Sequence, residues 1–294
     1  MSNSKGKQFK TLVKNNPPLQ ILGAINAYSA VLAETANGQA IYLSGAGVAN
    51  ASYGLPDLGM TCLAEVLEDA RRITAACSLP LLVDVDTGWG HAFNVARTVR
   101  LMERADVAAI HIEDQVVAKR CGHRPNKSIV SMQEMGDRIK SAVDARVDPD
   151  FVIMARTDAY AAEGMQAAID RVEFYVELGA DMIFPEALTT LEEYRAFTKH
   201  ISVPILANIT EFGKTPMFAR DELKQAGVGL ILYPLSAFRA MSFAALNVYR
   251  TIIERGTQQT MLDKMQPRSE LYEVLKYRAF EEKLDQLMEE QDGQ

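Results

Sequence analysis

Eight short apolar segments alternate with helical patterns along the chain, and this alternation most constrains the fold. The segments are LQILGAINAY, QAIYLSG, LPLLVDVDTG, VAAIHIEDQ, FVIMARTDA, DMIFPEA, VPILANIT and VGLILYPL. Such near-continuous apolar character is typical of parallel strands that are buried on both faces. Helical patterns, for example CLAEVLEDARRITAAC and AFNVARTVRLMERA, lie between them. Eight strand–helix units predict an α/β fold, a closed (β/α)8 barrel of the TIM type.

A doubly wound open sheet is the alternative architecture. A dinucleotide-binding sheet of that kind carries a Gly-x-Gly-x-x-Gly turn between its first strand and first helix. No such turn follows the first apolar segment, and the glycine-rich SGAGVANASYG leads into LPDLGM where a helix should begin. The sequence therefore favours the barrel.

The chain is long enough for one barrel with additions at both ends. We predict a single domain over residues 1–294, with an extra helix at about 6–15, the barrel at about 19–256 and a helical extension at about 257–294. Within the extension, SELYEVLKYRAFEEKLDQLMEE has the apolar stripe of an amphipathic helix. That stripe needs a partner, either on this barrel or on a neighbouring subunit.

Composition and charge exclude several classes of protein. The hydrophobic content of 48% is typical of a globular chain with a large core, and no apolar run reaches the length of about 18 residues expected of a membrane helix. The polar N-terminus lacks the apolar centre of a signal peptide, so we expect a cytoplasmic protein. A net charge of -7 argues against a general nucleic-acid binder. Three scattered cysteines argue against a disulfide framework.

Polar residues follow the apolar part of most strand segments. They are Tyr42, Ser44, Gly45, Asp84, Asp86, His111, Glu113, Asp114, Arg156, Asp158, Glu186, Asn208 and Thr210. In barrel enzymes the active site lies at the C-terminal ends of the strands. The bias of these polar residues to one end of each segment predicts an enzyme.

Asp84 and Asp86 form the candidate metal site. Residues two apart on a strand point to the same face, about 7 Å apart along it. Burying two carboxylates together is costly unless a cation neutralises them. With Glu113 and Asp57 nearby, an oxygen-only set favours Mg²⁺, with Mn²⁺ as the alternative, over zinc. The competing interpretation is that both aspartates only cap a helix or hold loops.

The segment KRCGHRPNK, after the fourth strand, surrounds one thiol with basic groups. These groups are Lys119, Arg120, His123 and Arg124. Cations lower a cysteine pKa from its usual value of about 8.5, so we expect Cys121 to exchange protons near neutral pH. Gly122 would allow the backbone to approach a ligand closely. A solvated charge run, half of a zinc site and covalent catalysis are the alternatives.

A metal, a proton-exchanging thiol and several arginines at one rim fit one kind of reaction. In the cleavage of a hydroxy-polycarboxylate between two carbons, a divalent ion stabilises the alkoxide and then the carbonyl. Cationic and amide donors hold the developing carbanion, and the thiol protonates it. We expect the segment containing Cys121 to close over the substrate and exclude water.

Nine ordered motifs carry a resemblance to a known superfamily. They are YLSGAGVA, GLPDLGM, LVDVDTGWG, HIEDQ, KRCGHRPNK, MARTDA, FPEA, LANITEFG and LYPLSAFRAM. Over nearly its whole length the chain resembles the isocitrate lyase/phosphoenolpyruvate mutase superfamily. The resemblance implies cleavage of 2-methylisocitrate to pyruvate and succinate with Mg²⁺, in the methylcitrate cycle of propionate catabolism. The same chemistry on isocitrate or a dimethylmalate is the alternative, and a non-catalytic barrel that binds a dicarboxylate is a third.

The resemblance also implies roles for individual residues. Cys121 would be the catalytic acid/base, tuned by Lys119 and His123, and Tyr42 is a candidate for the group near the alkoxide proton. Asp84 and Asp86 would hold Mg²⁺, supported through water by Asp57 and Glu113. Substrate-binding residues would be Ser44, Gly45, Ala46, Gly122, Arg156, Glu186, Asn208, Ile209, Thr210, Arg239 and Arg268. A homotetramer with its eighth helix swapped onto a neighbour's barrel is implied as well.

Four further expectations concern residues outside these roles. His111 should be a buried, hydrogen-bonded core histidine rather than a ligand. Cys62 and Cys77, at the ends of a predicted helix, should be packing residues. Arg156 either contacts the ligand or pairs with Asp158. Ala105-Asp106 stands where the superfamily suggests an Ala-Gly turn, which should cost some stability.

Overall fold

The computed structural model describes residues 4–118 and 128–292, and its centre is one eight-stranded parallel sheet. The strands are β1 Leu19–Gly23, β2 Ala40–Leu43, β3 Leu81–Asp84, β4 Ala109–Glu113, β5 Val152–Thr157, β6 Met182–Pro185, β7 Leu206–Asn208 and β8 Leu230–Tyr233. Their order is β6-β5-β4-β3-β2-β1-β8-β7, and a bridge between Ile183 and Ile205 joins β6 to the β7 side. The barrel is therefore nearly closed, and the predicted (β/α)8 fold is confirmed.

Helices alternate with these strands as the apolar periodicity predicts. They are α1 Lys5–Asn15, α2 Ala27–Thr35, α3 Gly45–Gly47, α4 Leu63–Ala76, α5 Ala92–Arg104, α6 Met132–Ala145, α7 Tyr160–Glu163, α8 Met165–Glu177, α9 Leu191–His200, α10 Arg220–Gln225, α11 Ser236–Arg255, α12 Arg268–Val274 and α13 Tyr277–Asp292. A π-helical turn, Val48–Ser52, follows α3, and a 3₁₀ helix, Gln259–Lys264, precedes α12. None of the described helices is long and apolar enough to cross a membrane.

The interior of the barrel is filled by alternate side chains from all eight strands. They include Leu19, Ile21, Ala40, Tyr42, Leu82, Ala109, Val152, Met154, Met182, Phe184, Leu206, Leu230 and Leu232. Phe9 and Val13 of α1 belong to the same buried cluster, and Lys10 of α1 donates to the carbonyl of Pro149 ahead of β5. Helix α1 thus covers the N-terminal end of the barrel, which leaves the C-terminal end for the polar strand ends.

A second buried layer lies between the strands and the surrounding helices. Outward-facing strand residues such as Ile41, Val83 and Ile110 pack with helix residues such as Ile73 and Val99. Because both faces of the sheet are covered, the strands read as nearly continuous apolar runs. Each buried aliphatic side chain contributes about 1.5–3 kcal/mol, so this double layer holds the strand ends in fixed positions.

The chain forms two compact units, residues 1–238 and 239–294. The second unit contains most of α11 together with α12 and α13. The predicted helical character of SELYEVLKYRAFEEKLDQLMEE is confirmed, but it is divided between two helices, because α12 ends at Val274 and α13 begins at Tyr277. Lys276 between them has φ +54, a left-handed conformation that ends helical hydrogen bonding. The predicted single domain with a helical extension stays a prediction.

Candidate active site

The polar residues at the C-terminal strand ends are buried, with side chains that contact one another. Nearly complete burial holds for Tyr42, Ser44, Asp84, Asp86, His111, Glu113, Arg156, Asp158, Glu186, Asn208 and Thr210. Since all eight strands are parallel, their C-terminal ends lie at the same end of the barrel. Buried polar and charged groups require partners, so this end of the barrel is the candidate active site.

Asp84 and Asp86 border a small space beside Gly45. The Gly45 amide donates to Asp84 Oδ2 over 3.1 Å, and the Asp86 amide donates to Asp84 Oδ1 over 3.0 Å. A Cβ on Gly45 would lie 3.1 Å from both Asp84 Oδ2 and Asp86 Oδ1. Glycine therefore keeps open a place that two carboxylate oxygens face.

The two carboxylates converge through a turn rather than through strand alternation alone. Strand β3 ends at Asp84, and Asp86 lies in the following turn with φ +49. A non-glycine residue in this left-handed region costs about 1–3 kcal/mol, and such strain is concentrated at functional sites. The spacing of the aspartates predicted their pairing, but not this backbone conformation.

The donor set around Gly45 fits a hard divalent cation. Asp84 is 5% exposed and Asp86 is 4% exposed, and both offer only oxygen. Mg²⁺ prefers one or two carboxylates and keeps several water or substrate oxygens. No group of three or more Asp, Glu, His or Cys side chains forms a ready-made ligand set within residues 4–118 and 128–292. Two aspartates with further oxygen from outside the protein match the preference of Mg²⁺ better than that of zinc.

Arg156 connects three carboxylates at the ends of neighbouring strands. Its Nε lies 3.0 Å from Asp158 Oδ2 and 3.4 Å from Glu113 Oε2, and its Nη2 lies 2.9 Å from Glu186 Oε2. Burial opposes its charge, but Asp158, Glu186 and Glu113 hold the pKa of Arg156 well above its usual value. The guanidinium also lies over the Phe184 ring, 5.1 Å from the centroid. Arg156 is thus a permanently charged centre, and its pairing with Asp158, one of two predicted alternatives, is present.

The remaining strand ends extend this network. The Asn208 amide donates to Glu186 Oε1 over 3.3 Å, and the Ala187 backbone amide donates to the same oxygen over 3.0 Å. Ile209 and Thr210, directly after β7, are buried beside Asn208 in the sequence. Strands β4 to β7 therefore present a continuous polar rim, linked by Arg156 and Glu186.

Tyr42 and His111 connect the polar rim to the barrel interior. The Tyr42 hydroxyl lies 2.9 Å from His111 Nε2 and 3.5 Å from Asp84 Oδ2. The two rings stack with centroids 5.7 Å apart, and His111 is fully buried. The predicted buried and hydrogen-bonded His111 is confirmed. Its contact with Tyr42 was not predicted, because a contact across strands has no signal in the spacing of one chain segment.

Several predicted site residues lie elsewhere or outside the described residues. Asp57 is half-buried in a bend after the π-helical turn, and Ala46 is half-buried within α3. Arg239 and Arg268 are exposed and belong to the second unit. Four predicted residues fall in the undescribed segment 119–127: Lys119, Cys121, Gly122 and His123. The predicted closure of that segment over the substrate also lies outside the described residues.

The two described cysteines differ from each other. Cys77 is buried after α4, where burial raises the pKa of its thiol, and its packing role is confirmed. Cys62 is exposed, so its predicted packing role is wrong. Helix α4 begins at Leu63, which makes Cys62 the N-cap, and its amide donates to Glu65 Oε2 over 2.7 Å.

Comparison with known proteins gives consistent results. The family model "Phosphoenolpyruvate phosphomutase" matches residues 9–253. A 2-methylisocitrate lyase of Escherichia coli K12 is 62% identical over 286 residues, which cover 97% of each chain. The solved structure of 2,3-dimethylmalate lyase, a member of the PEP mutase/isocitrate lyase superfamily, has a TM-score of 0.89 at 31% identity and covers 97% of this chain and 95% of its own.

Another solved structure of similar fold was determined with a bound metal ion. It is phosphonopyruvate hydrolase in complex with oxalate and Mg²⁺, with a TM-score of 0.83 at 29% identity, covering 95% of this chain and 97% of its own. The family model spans most of the chain, and the relatives and structures match almost all of it. The chain belongs to the phosphoenolpyruvate phosphomutase family, within the PEP mutase/isocitrate lyase superfamily.

Proposed function

We propose that this protein is a carbon–carbon lyase that cleaves 2-methylisocitrate to pyruvate and succinate. The observation that carries the proposal is the 62% identity to a 2-methylisocitrate lyase over 97% of both chains. The buried carboxylates, the charged Arg156 and the polar strand ends supply the groups that such a cleavage requires. These groups lie at the C-terminal end of the barrel, which is the end where barrel enzymes have their active sites.

Asp84 and Asp86 would hold Mg²⁺, with Glu113 and Asp57 supporting it through water. When bound, the ion acts as a Lewis acid that polarises the substrate hydroxyl and lowers its pKa. The oxygen-only donors beside Gly45 support this assignment. The Mg²⁺ in the phosphonopyruvate hydrolase complex supports a divalent ion in the family, and Mn²⁺ is the alternative ion here.

The chain's own residues would bind the substrate and accept its hydroxyl proton. Arg156 keeps its charge, and it would hold a substrate carboxylate while Glu186 and Asn208 fix its orientation. The hydroxyl proton would pass to the Tyr42 oxygen while Tyr42 gives its own proton to His111 Nε2, over the 2.9 Å that separates them. The electron pair left on oxygen then forms the pyruvate carbonyl as the carbon–carbon bond breaks.

Cys121 would supply the proton that completes the reaction. The bond that breaks leaves its electron pair on the carbon beside a succinate carboxylate, and transfer of the thiol proton to that carbon gives succinate. Support comes from the sequence, because Lys119, Arg120 and His123 are neighbours of Cys121 along the chain, and nearby cations lower the pKa of a thiol. Ser44, Gly122, Arg239 and Arg268 are proposed to bind the remaining substrate oxygens.

Isocitrate and 2,3-dimethylmalate are alternative substrates that the same cleavage reaction could use. The 2,3-dimethylmalate lyase structure is similar over nearly the whole chain, and isocitrate differs from 2-methylisocitrate by one methyl group. One methyl group in a pocket changes transition-state binding by about 1–3 kcal/mol. The 62% identity to the E. coli enzyme, against 31% to the dimethylmalate lyase, favours 2-methylisocitrate.

The test compares kcat/KM for 2-methylisocitrate, isocitrate and 2,3-dimethylmalate on purified protein. Pyruvate and succinate should be measured separately, with chelator and then with added Mg²⁺. We expect kcat/KM to be at least about tenfold higher for 2-methylisocitrate. Cleavage should stop with chelator and return with Mg²⁺. A higher kcat/KM for either other acid would reject the substrate, and cleavage that ignores the chelator would reject the metal.

We also propose that the protein works as a homotetramer whose eighth helix, α11, packs on a neighbouring subunit. Helix α11 spans 20 residues, none of which is buried. Its exposed apolar side chains are Met241, Phe243, Leu246, Tyr249, Ile252 and Ile253. An apolar face of that size is typical of a surface that another chain covers.

A further inference from the structure

We propose that Arg138 and Arg171 are positioning residues that hold both ends of the segment carrying Cys121 against the barrel. The inference rests on the proposed function, since that segment matters only if Cys121 is the acid. The two ends are residues 114–116, which follow β4, and residues 128–130, which precede α6; together they are called the loop stem here. Every residue of the loop stem is described, whereas the segment 119–127 between its two strands is not.

The two strands of the loop stem pair with each other. The Val116 amide donates to the Ser128 carbonyl over 3.0 Å, and the Val130 amide donates to the Asp114 carbonyl over 2.8 Å. Gln115 and Ile129 form an antiparallel bridge between them. A two-stranded ribbon this short is marginal by itself, so its position depends on what else holds it.

Arg138 holds the outgoing strand of the loop stem. It lies on α6, is 4% exposed, and its Nη1 donates to the carbonyls of Glu113 and Gln115 over 3.0 and 2.9 Å. Its Nη2 donates to Glu134 Oε1 over 2.9 Å, which orients the guanidinium. One side chain thus fixes two alternate carbonyls at the point where β4 ends and the segment begins.

Arg171 holds the returning strand. It lies on α8, and its Nη1 donates to the Val130 carbonyl over 3.0 Å and lies 3.8 Å from Asp114 Oδ2. Its Nε and Nη2 form a two-bond pair with Glu163, over 2.8 and 2.9 Å. Burial opposes its charge, but the bonds to Glu163 and Tyr175 raise the pKa of Arg171 above its usual value, so it stays charged.

Asp114 connects the loop stem to strand β5. Its carboxylate accepts from the Thr157 hydroxyl over 2.7 Å, from the Asp158 amide over 2.9 Å and from the Tyr175 hydroxyl over 3.1 Å. Thr157 and Asp158 directly follow Arg156, the charged centre of the polar rim. The loop stem is therefore fixed relative to the residues proposed to bind the substrate.

Loss of the contacts that hold the loop stem should affect turnover of the substrate rather than its binding. An acid displaced by about 1 Å can cost about 10²-fold in rate. Ground-state contacts to the substrate are proposed for Arg156, Glu186 and Asn208, whereas Arg138 and Arg171 donate to carbonyls of the loop stem and of Glu113. Loss of either arginine should lower kcat while leaving KM nearly unchanged.

The experiment measures kcat, KM and amide hydrogen exchange in Arg138→Gln and Arg171→Gln. We expect kcat to fall about 10- to 100-fold with KM within about threefold of wild type. The amides of Val116 and Val130 should exchange at least about tenfold faster, because they report directly on the loop stem. Arg138→Lys should restore part of kcat, since its ammonium can reach one of the two carbonyls.

Arg146→Gln is the matched control. Arg146 also joins a carbonyl to a carboxylate, because its Nη1 donates to the Phe151 carbonyl over 2.9 Å and to Asp181 Oδ2 over 2.6 Å. It lies at the opposite end of β5, so its loss should lower stability without lowering kcat. If Arg171→Gln does not fold, Tyr175→Phe removes the hydroxyl that donates to Asp114 Oδ2 and accepts from Arg171 Nη1, while both charged side chains stay in place. It should lower kcat about threefold, with faster exchange at Val130.

The outcomes separate this inference from the proposed function. Wild-type kcat and unchanged exchange at Val116 and Val130 in both variants would overturn the inference while the lyase activity stands. An equal fall of kcat in Arg146→Gln would overturn it too, because a general loss of stability would then explain the result. If the wild-type protein cleaves none of the three acids, the proposed function fails, and the exchange measurement alone still decides whether both arginines hold the loop stem.

Discussion

At the scale of single residues, the space beside Gly45 has the most direct chemical consequence. Asp84 Oδ2 and Asp86 Oδ1 both lie 3.1 Å from the position that a Cβ of residue 45 would take. Contacts of this length are tighter than most real Cβ contacts, so a methyl group there would push the carboxylates apart. A metal site tolerates such displacement poorly, because its ligands need defined positions.

Gly45→Ala should therefore weaken Mg²⁺ binding by about 10-fold or more, with little loss of folding stability. Binding can be followed through Trp89, the only tryptophan, which lies three residues after Asp86. Gly47→Ala is the matched control in the same short helix, because its Cβ would meet Leu235, Ile25 and Ser44 instead. Equal Mg²⁺ affinity in wild type and Gly45→Ala would argue against this metal position.

Single residues were predictable where the signal lies within one segment. The spacing of Asp84 and Asp86 predicted a pair, and oxygens of both carboxylates face Gly45. The tuned thiol at Cys121 stays a prediction, because that residue lies outside the described residues. Arg138, Arg171 and His111 act through carbonyls and side chains of other elements. One sequence carries no signal for such contacts, so the loop stem could not be predicted.

At the scale of elements, the ends of helices show how local chemistry fixes the barrel. Helix α9 begins with a capping box, in which Glu193 accepts from the amides of Thr189 and Thr190 and from the Tyr160 hydroxyl. Burial opposes the charge, but these hydrogen bonds lower the pKa of Glu193 below its usual value. The carboxylate form therefore stabilises the fold.

Glu193→Gln should lower the free energy of unfolding by about 1 kcal/mol near pH 7. Because the folded pKa is lowered, the contribution is complete above the unfolded pKa, about 4.3, and is lost as the pH falls through the folded pKa. Urea unfolding at pH 7 and at pH 3 measures the difference between the two proteins. A difference that grows toward low pH would contradict the sign of the shift.

The turn after α5 was predicted to cost stability, and its geometry agrees with that expectation. Asp106 has φ +57, the left-handed conformation that glycine adopts without penalty. Asp106→Gly should raise the free energy of unfolding by about 0.5 kcal/mol, and Asp106→Ala should lower it by a similar amount. Urea midpoints test this, and a destabilised Asp106→Gly would contradict it.

The strands and helices were largely predictable from the spacing of apolar residues along the chain. The eight apolar segments became eight strands, and α5 over Ala92–Arg104 falls within the predicted helical pattern AFNVARTVRLMERA. The break at Lys276 was missed, because the apolar stripe continues through it and no glycine or proline marks it. A helix break without glycine or proline depends on tertiary packing, and the pattern of apolar residues in one sequence does not report that packing.

At the scale of the whole molecule, the exposed apolar side chains of α11 and α13 suggest that other subunits complete the protein. In α13 they are Tyr277, Phe280, Leu284, Leu287 and Met288. Soluble monomers rarely expose continuous apolar faces of this size. The predicted tetramer depends on these faces, and α11 offers the better test because it is longer.

Ile253→Glu should dissociate the tetramer into smaller species, since burying a carboxylate in an apolar interface without a partner costs several kcal/mol. Light scattering coupled to size-exclusion chromatography measures the mass. Val147→Glu is the matched control, because Val147 is 81% exposed in the first unit and Ile253 is 83% exposed. A monomeric wild-type protein, or an unchanged mass in Ile253→Glu, would contradict the proposed interface.

Proton transfer from the thiol is tested most directly by the turnover of Cys121→Ser on 2-methylisocitrate, measured beside its Mg²⁺ affinity. Serine cannot deliver the proton at neutral pH, so kcat should fall by about 10²- to 10⁴-fold. The affinity for Mg²⁺ should stay within about threefold, because Asp84 and Asp86 are untouched. Release of pyruvate and succinate by Cys121→Ser at the wild-type rate would contradict the central claim that this thiol protonates the leaving carbanion.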